Sequence, residues 1–222
     1  MFESNRLDDA VGYFQEYPAP VFKAMWEQTF APMNSTTPYY GPLLYWLCRC
    51  ADASDVLEIG IATAWSSVFM AHAVAEANSR YKANGMYYGV DVGDKKDIFA
   101  EMHKMNLPAK FIQKDSWDLV PADWDNRQLN LVFQDGWHSD EYVMRELDIL
   151  LPYLKGNGDG YWVMHDVYSW CEGVFEKIKQ LHPNWEVIRF KQNYGLAIFR
   201  NMDGYDYNAR YWHGPQPHLR GG

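Results

Sequence analysis

Two short segments carry the side chains best suited to chemistry. Asp135-Gly136-Trp137-His138 follows the apolar run Asn130–Gln134, and His165-Asp166 closes a second run that begins at Tyr161. Carboxylates and imidazoles at the tips of two neighbouring strands make a site for a proton or a cation. Asp135 and Asp166 would share one sheet edge, so both can face the same point, and oxygen ligands suit Mg²⁺ or Mn²⁺. His165 pulls the other way, because imidazole suits softer metals. Its alternative is a buried strand position, with Asp166 capping the next helix. His138 lies in a loop three residues past Asp135, where it is either a general base or the start of a helix with no chemical part.

Earlier in the chain, Val56-Leu57-Glu58-Ile59-Gly60-Ile61-Ala62-Thr63-Ala64-Trp65-Ser66-Ser67 reads as an apolar strand, a small-residue turn and a helix start. Small residues let the turn backbone approach a ligand. Alanine at 62 and 64 keeps the space small but does not enter positive φ easily, so the turn is expected to close without it. Glu58 inside a strand is costly unless partnered. Met86–Asp91 ends in an acid that can accept both hydroxyls of a ribose or cap the next helix. Asp115-Ser116-Trp117 follows a third run and is either a ligand contact or an ordinary turn.

These residues need a scaffold that brings strand ends together. From Asp55 onward, short apolar runs alternate with helical patterns, as expected of parallel βαβ units. Strands are expected at Val56–Gly60, Met86–Asp91, Lys110–Lys114, Asn130–Asp135, Tyr161–Asp166, Glu186–Phe190 and Leu196–Arg200. Helices are expected at Trp65–Ala77, Asp97–Met105, Asp140–Leu151 and Ser169–Leu181. The last two strands leave no room for a helix and should form an antiparallel hairpin. The fold class is therefore α/β, a doubly wound Rossmann-like arrangement with a seven-stranded, mostly parallel sheet. One domain spans 1–222, with a helical cover over 1–50, a core over 55–200 and a tail over 201–222. The stretch from Asn34 to Pro42 is turn-rich, and the helix after it sends Leu43, Leu44 and Leu47 to the core.

Composition narrows the function. A net charge of -9 without a Lys/Arg cluster argues against nucleic acid. No apolar run is long enough to span a bilayer, and the start lacks a signal-peptide pattern, so a cytoplasmic protein is expected. Cys48, Cys50 and Cys171 cannot all pair, which fits reduced thiols. Aromatics at 17% fit a pocket for an organic ligand. Homo-oligomerisation is left open.

Glu58 and Gly60, with Ala62 and Ala64 in place of later glycines, resemble the first motif of class I S-adenosylmethionine-dependent methyltransferases. The run from Asp135-Gly136-Trp137-His138 through Leu154-Lys155-Gly156 to His165-Asp166 resembles a subgroup of small-molecule O-methyltransferases and cephalosporin-hydroxylase-like proteins. The resemblance implies transfer of a methyl group from S-adenosylmethionine to a hydroxyl of a sugar or aromatic metabolite. It implies cofactor contacts from Glu58, Gly60, Ile61, Ala62, Ser66, Asp91, Val92, Asp115, Ser116, Trp117 and Asp135. It gives Asp135 and His138 catalytic parts, His138 as base, and gives a divalent cation such as Mg²⁺ to Asp135, His165 and Asp166. It also implies that the segment around Tyr39 and Tyr40 covers the site, the alternative for either tyrosine being a merely structural turn. The substituted turn and His165 leave a second expectation, a non-catalytic nucleotide-binding protein on the same fold. A nicotinamide-dependent dehydrogenase is disfavoured by the missing glycines.

Overall fold

The computed structural model describes residues 40–51, 53–191 and 194–205. Tyr39, most of the expected helical cover and all but the start of the expected tail lie outside the described residues. Helix α1 (Tyr40–Cys50) leads into strand β1 (Asp55–Ile59), and α2 (Trp65–Tyr81) into β2 (Met86–Asp91). Helix α3 (Lys96–Lys104) and β3 (Ala109–Gln113) follow, then short 3₁₀ turns and β4 (Leu131–Gln134). The chain continues through α4 (Asp140–Leu150), β5 (Gly160–His165), α5 (Glu172–Leu181), β6 (Glu186–Phe190) and β7 (Leu196–Asn201).

The seven strands form one sheet in the order β3-β2-β1-β4-β5-β7-β6. The first five are parallel, while β7 runs antiparallel between β5 and β6. The expected α/β class, the seven strands and the final hairpin are all present. Side chains alternate across β1: Val56 joins the core on one face, while Leu57 and Ile59 join the core on the other. Leu44 of α1, Val68 and Met70 of α2, and Phe99 and Met102 of α3 fill the first layer. Val143, Leu147 and Leu150 of α4 and Val174 and Ile178 of α5 fill the second, at the i, i+3 and i+4 spacing of a helix face.

Three expected boundaries move by more than a residue. Helix α2 runs on to Tyr81, past the expected end at Ala77. Helix α1 begins at Tyr40, inside the stretch read as turns, because Gly41 and Pro42 fall in its first turn, where an absent N–H costs nothing. Helix α5 begins at Glu172 rather than Ser169. The backbone carbonyl of Asp166 accepts from the N–H groups of Ser169 and Cys171, so the chain makes a turn before the helix starts.

The parallel strands place their carboxyl ends on one edge, the edge where open α/β sheets bind ligands. Tyr40, the first described residue, sits there, its ring edge-on to His165 at 5.6 Å. By contrast β7 ends at Asn201, opposite Gly160 at the start of β5, on the far edge of the sheet. Among the described residues no helix is long and apolar enough to cross a membrane.

Candidate active site

A cavity of about 350 Å³ opens at the carboxyl edge, over the turn after β1. Gly60 and Ala62 lie on one side, Asp91 and Val92 at the end of β2, and Asp115 and Ser116 beyond β3. Asp135 borders it from the end of β4. Seven of the residues expected to touch a cofactor therefore meet at one opening. Glu58, Ile61, Ser66 and Trp117 do not line it.

The turn owes its shape to unusual backbone angles. Gly60 has φ of 86°, and a Cβ there would stand 2.2 Å from the Asp135 carbonyl oxygen, so only glycine allows β1 and β4 to approach. Ala62 and Ala64 have φ of 44° and 63°. The expectation that the turn closes without positive φ is overturned. Both alanines take the left-handed conformation that glycines adopt freely, at a cost of about 1–2 kcal/mol each. Asp91 supports the strained turn: its Oδ2 accepts from the N–H groups of Ile61 (3.1 Å) and Ala62 (3.2 Å), and its Oδ1 from Gly93 (2.7 Å). Lys95 closes the other side, donating to the Ala62 carbonyl at 2.8 Å.

Glu58 is fully buried beneath this turn. It accepts hydrogen bonds from the hydroxyls of Ser66, Ser67 and Tyr87, which tie the start of α2 and strand β2 to β1. Burial pushes its carboxyl up to about 7 despite those three donors. A second buried acid, Glu146 of α4, accepts from the Ser116 hydroxyl at 2.6 Å. Burial raises it to about 7 as well.

Trp117 is not part of the lining and stacks on Tyr142, ring centroids 4.5 Å apart. Tyr142 itself lines the cavity, as do Lys114, Gly136 and Trp137; none of the four was an expected contact, although Gly136 and Trp137 lie within the Asp135–His138 motif. The signal for Tyr142 and Glu146 was present in their i, i+4 spacing on the helix that follows the motif, which puts them on one face.

Beside the cavity, Asp135, His138, His165 and Asp166 converge, each offering a ligand atom within 4.8 Å of the others. His165 and Asp166 are sequence neighbours, and in a continuing strand they would face opposite ways. Asp166 instead takes φ of 59°, which swings its carboxylate back beside the His165 ring. His165 Nδ1 bonds Asp135 Oδ1 at 2.9 Å and lies 3.3 Å from Asp166 Oδ2. His138 Nε2 lies 3.4 Å from Asp135 Oδ1 and 3.0 Å from Asp166 Oδ2. Burial lowers the His165 pKa, but its two carboxylate partners outweigh that and raise it to about 10. Burial raises the Asp166 carboxyl, and the hydrogen bond and charge of His165 more than offset it, holding Asp166 below the usual range.

The parallel sheet with its antiparallel insertion at β7, and a carboxyl-edge cavity rimmed by acids, define the fold of class I S-adenosylmethionine-dependent methyltransferases. The model of the methyltransferase domain family matches residues 57–167, from β1 through the turn after β5, and the chain belongs to that family. Solved structures agree at low identity. A candidate caffeoyl-CoA O-methyltransferase from Staphylococcus aureus is 15% identical, with a TM-score of 0.66 over 89% of this chain and 100% of that one. A methyltransferase from Podospora anserina, bound to S-adenosylhomocysteine, is 16% identical, with a TM-score of 0.63 over 91% of this chain and 98% of that one. The O-methyltransferase TomG of Streptomyces achromogenes, involved in tomaymycin synthesis and bound to S-adenosylmethionine, is 16% identical, with a TM-score of 0.60 over 91% and 100%. At such identities the likeness is one of fold. A search of the curated proteins found no match.

Proposed function

We propose that this methyltransferase binds S-adenosylmethionine in the carboxyl-edge cavity and methylates a hydroxyl of a small molecule held beside the Asp135–His138–His165–Asp166 cluster. One observation carries the reading. Asp135 belongs both to the cavity wall and to the cluster, so a donor in the first and an acceptor at the second would meet. Asp91 is the candidate for a ribose hydroxyl, since a carboxylate has about four lone-pair sites and three already accept N–H groups. Val92 is exposed beside it and can cover one face of an adenine. Ser116 can meet its edge. Glu58 acts by holding the turn in shape through Ser66, and Gly60, Ile61 and Ala62 carry that shape to the ligand.

S-adenosylmethionine supplies an electrophilic methyl carbon on a sulfonium. The acceptor oxygen would take that methyl group, the electron pair of the carbon–sulfur bond would stay on sulfur, and the hydroxyl proton would pass to the carboxylate of Asp135, which borders both the cavity and the cluster, and on to water. An alcohol is a weak nucleophile at neutral pH, so positioning and proton removal are the tasks left to the protein. A divalent cation held by Asp135, His165 and Asp166 would make the hydroxyl more acidic. Trp170 lies against His138 of the cluster and Trp137 lines the cavity; both are exposed and offer flat surfaces to a sugar ring or an aromatic acceptor. Buried free Cys48 and Cys171 and the acidic net charge support a cytoplasmic enzyme whose acceptor is not a nucleic acid.

Calorimetry with S-adenosylmethionine, S-adenosylhomocysteine and NAD tests the donor site. The two sulfur nucleotides should bind and NAD should not, and Asp91→Ala should weaken S-adenosylhomocysteine by roughly 10-fold or more, as for a lost charged hydrogen bond. No binding of either nucleotide would refute the reading. Tight binding with no methyl transfer to any hydroxyl acceptor would favour a nucleotide-binding protein instead.

A further inference from the structure

We infer that His138 is a fourth metal ligand and that the cluster selects a first-row transition ion over Mg²⁺; the inference rests on the cation reading above and names the class of cation. The four closest approaches form a closed ring in which oxygen and nitrogen alternate. Its sides run Asp135 Oδ1 to His138 Nε2 at 3.4 Å, His138 Nε2 to Asp166 Oδ2 at 3.0 Å, Asp166 Oδ2 to His165 Nδ1 at 3.3 Å, and back to Asp135 at 2.9 Å. Atoms bound to one cation at about 2.1 Å lie about 3.0 Å apart at octahedral right angles and about 3.4 Å apart in a tetrahedron. All four sides fall close to that interval.

Hydrogen bonding accounts for the His165–Asp135 side of the ring but not for the sides that His138 makes. His138 Nε2 is buried and, although 3.0 Å from a carboxylate oxygen, has no hydrogen-bond partner, so its in-plane direction is not spent on Asp166. The His165 side chain is almost wholly enclosed and presents Nδ1 to both carboxylates while its Nε2 is without a partner. Two imidazoles and two carboxylates are a mixed nitrogen and oxygen set. Mg²⁺ keeps to oxygen donors and gives up water reluctantly, whereas Zn²⁺, Co²⁺ and Ni²⁺ take imidazole readily. With His138 on the cation, its Nε2 is not the atom that receives the acceptor's proton.

Full-length protein stripped with chelator and titrated at pH 7.5 with Co²⁺, Zn²⁺ and Mg²⁺ tests this by calorimetry, with the visible spectrum of Co²⁺ as a second readout. One equivalent of Co²⁺ or Zn²⁺ should bind at least 100-fold more tightly than Mg²⁺. His138→Ala and His138→Gln, checked for folding by near-ultraviolet circular dichroism, should each weaken Co²⁺ at least 10-fold and alter its visible bands. The inference is overturned if Mg²⁺ binds as tightly as Co²⁺, or if both variants keep wild-type Co²⁺ affinity and spectrum. It is equally overturned if no cation binds at millimolar concentration, leaving a closed set of His–Asp ion pairs. S-adenosylhomocysteine titrated into the same protein separates the two readings. Nucleotide binding without the cation preference sinks only this inference, and cation binding without nucleotide binding sinks only the methyl-transfer reading.

Discussion

Glu58→Gln should flatten the dependence of stability on pH. In the native protein Glu58 is fully buried, and its carboxyl is pushed from the ordinary 4.5 up to about 7 by burial. Between those values the folded chain keeps a proton that the unfolded chain has released. The folded state therefore binds more protons, and stability falls as pH rises. Below pH 4.5 the group adds no penalty; above about 7 the penalty is complete. At about 1.4 kcal/mol per pH unit, the gap corresponds to about 3 kcal/mol. Gln has nearly the same shape and no charge to bury. Its amide oxygen can accept from two of the hydroxyls while the third rotates to accept from the amide N–H. The variant should thus gain about 2–3 kcal/mol relative to wild type between pH 5 and pH 8. Urea unfolding followed by tryptophan fluorescence would read this as a relative midpoint shift of roughly 1 M, given typical slopes for a domain of this size. Glu146 has the same sign and window, so the variant should keep part of the slope. Parallel wild-type and variant curves across that range would refute the argument that Glu58 is strained by its burial.

The strained turn gives two further expectations. Ala62→Gly should raise stability by up to ~1 kcal/mol, because relief of the left-handed cost slightly exceeds the entropy lost by adding glycine; a loss above ~0.5 kcal/mol in urea titrations would contradict the strain. Gly60→Ala should cost at least ~2 kcal/mol, because its Cβ meets the Asp135 carbonyl carbon and oxygen rather than a side chain that can move, and an unchanged midpoint would show that β1 and β4 separate freely.

Much of the architecture was legible along the chain. Apolar runs of strand length, each followed by a helical pattern, identify a parallel sheet, because both faces of such strands are covered. Strands β2 and β6 lie where the pattern put them, and the others shift by a residue or so at their ends. The acids at the ends of β2 and β4 and beyond β3 were legible as a group, since parallel connectivity sends every such tip to one edge. Backbone angle and side-chain direction were not legible. Ala62, Ala64 and Asp166 occupy the left-handed region without the glycine that usually announces it, so their sequence hides both the backbone angles of the turn and the convergence of His165 with Asp166. Nor could local spacing show that Glu58 has three hydroxyl partners, two from α2 and one from β2, because those contacts exist only once helix and strands pack. Which residues can meet is set by connectivity, a property of the chain's order. Whether their atoms do meet depends on dihedral angles that packing imposes, and only the tertiary structure decides those.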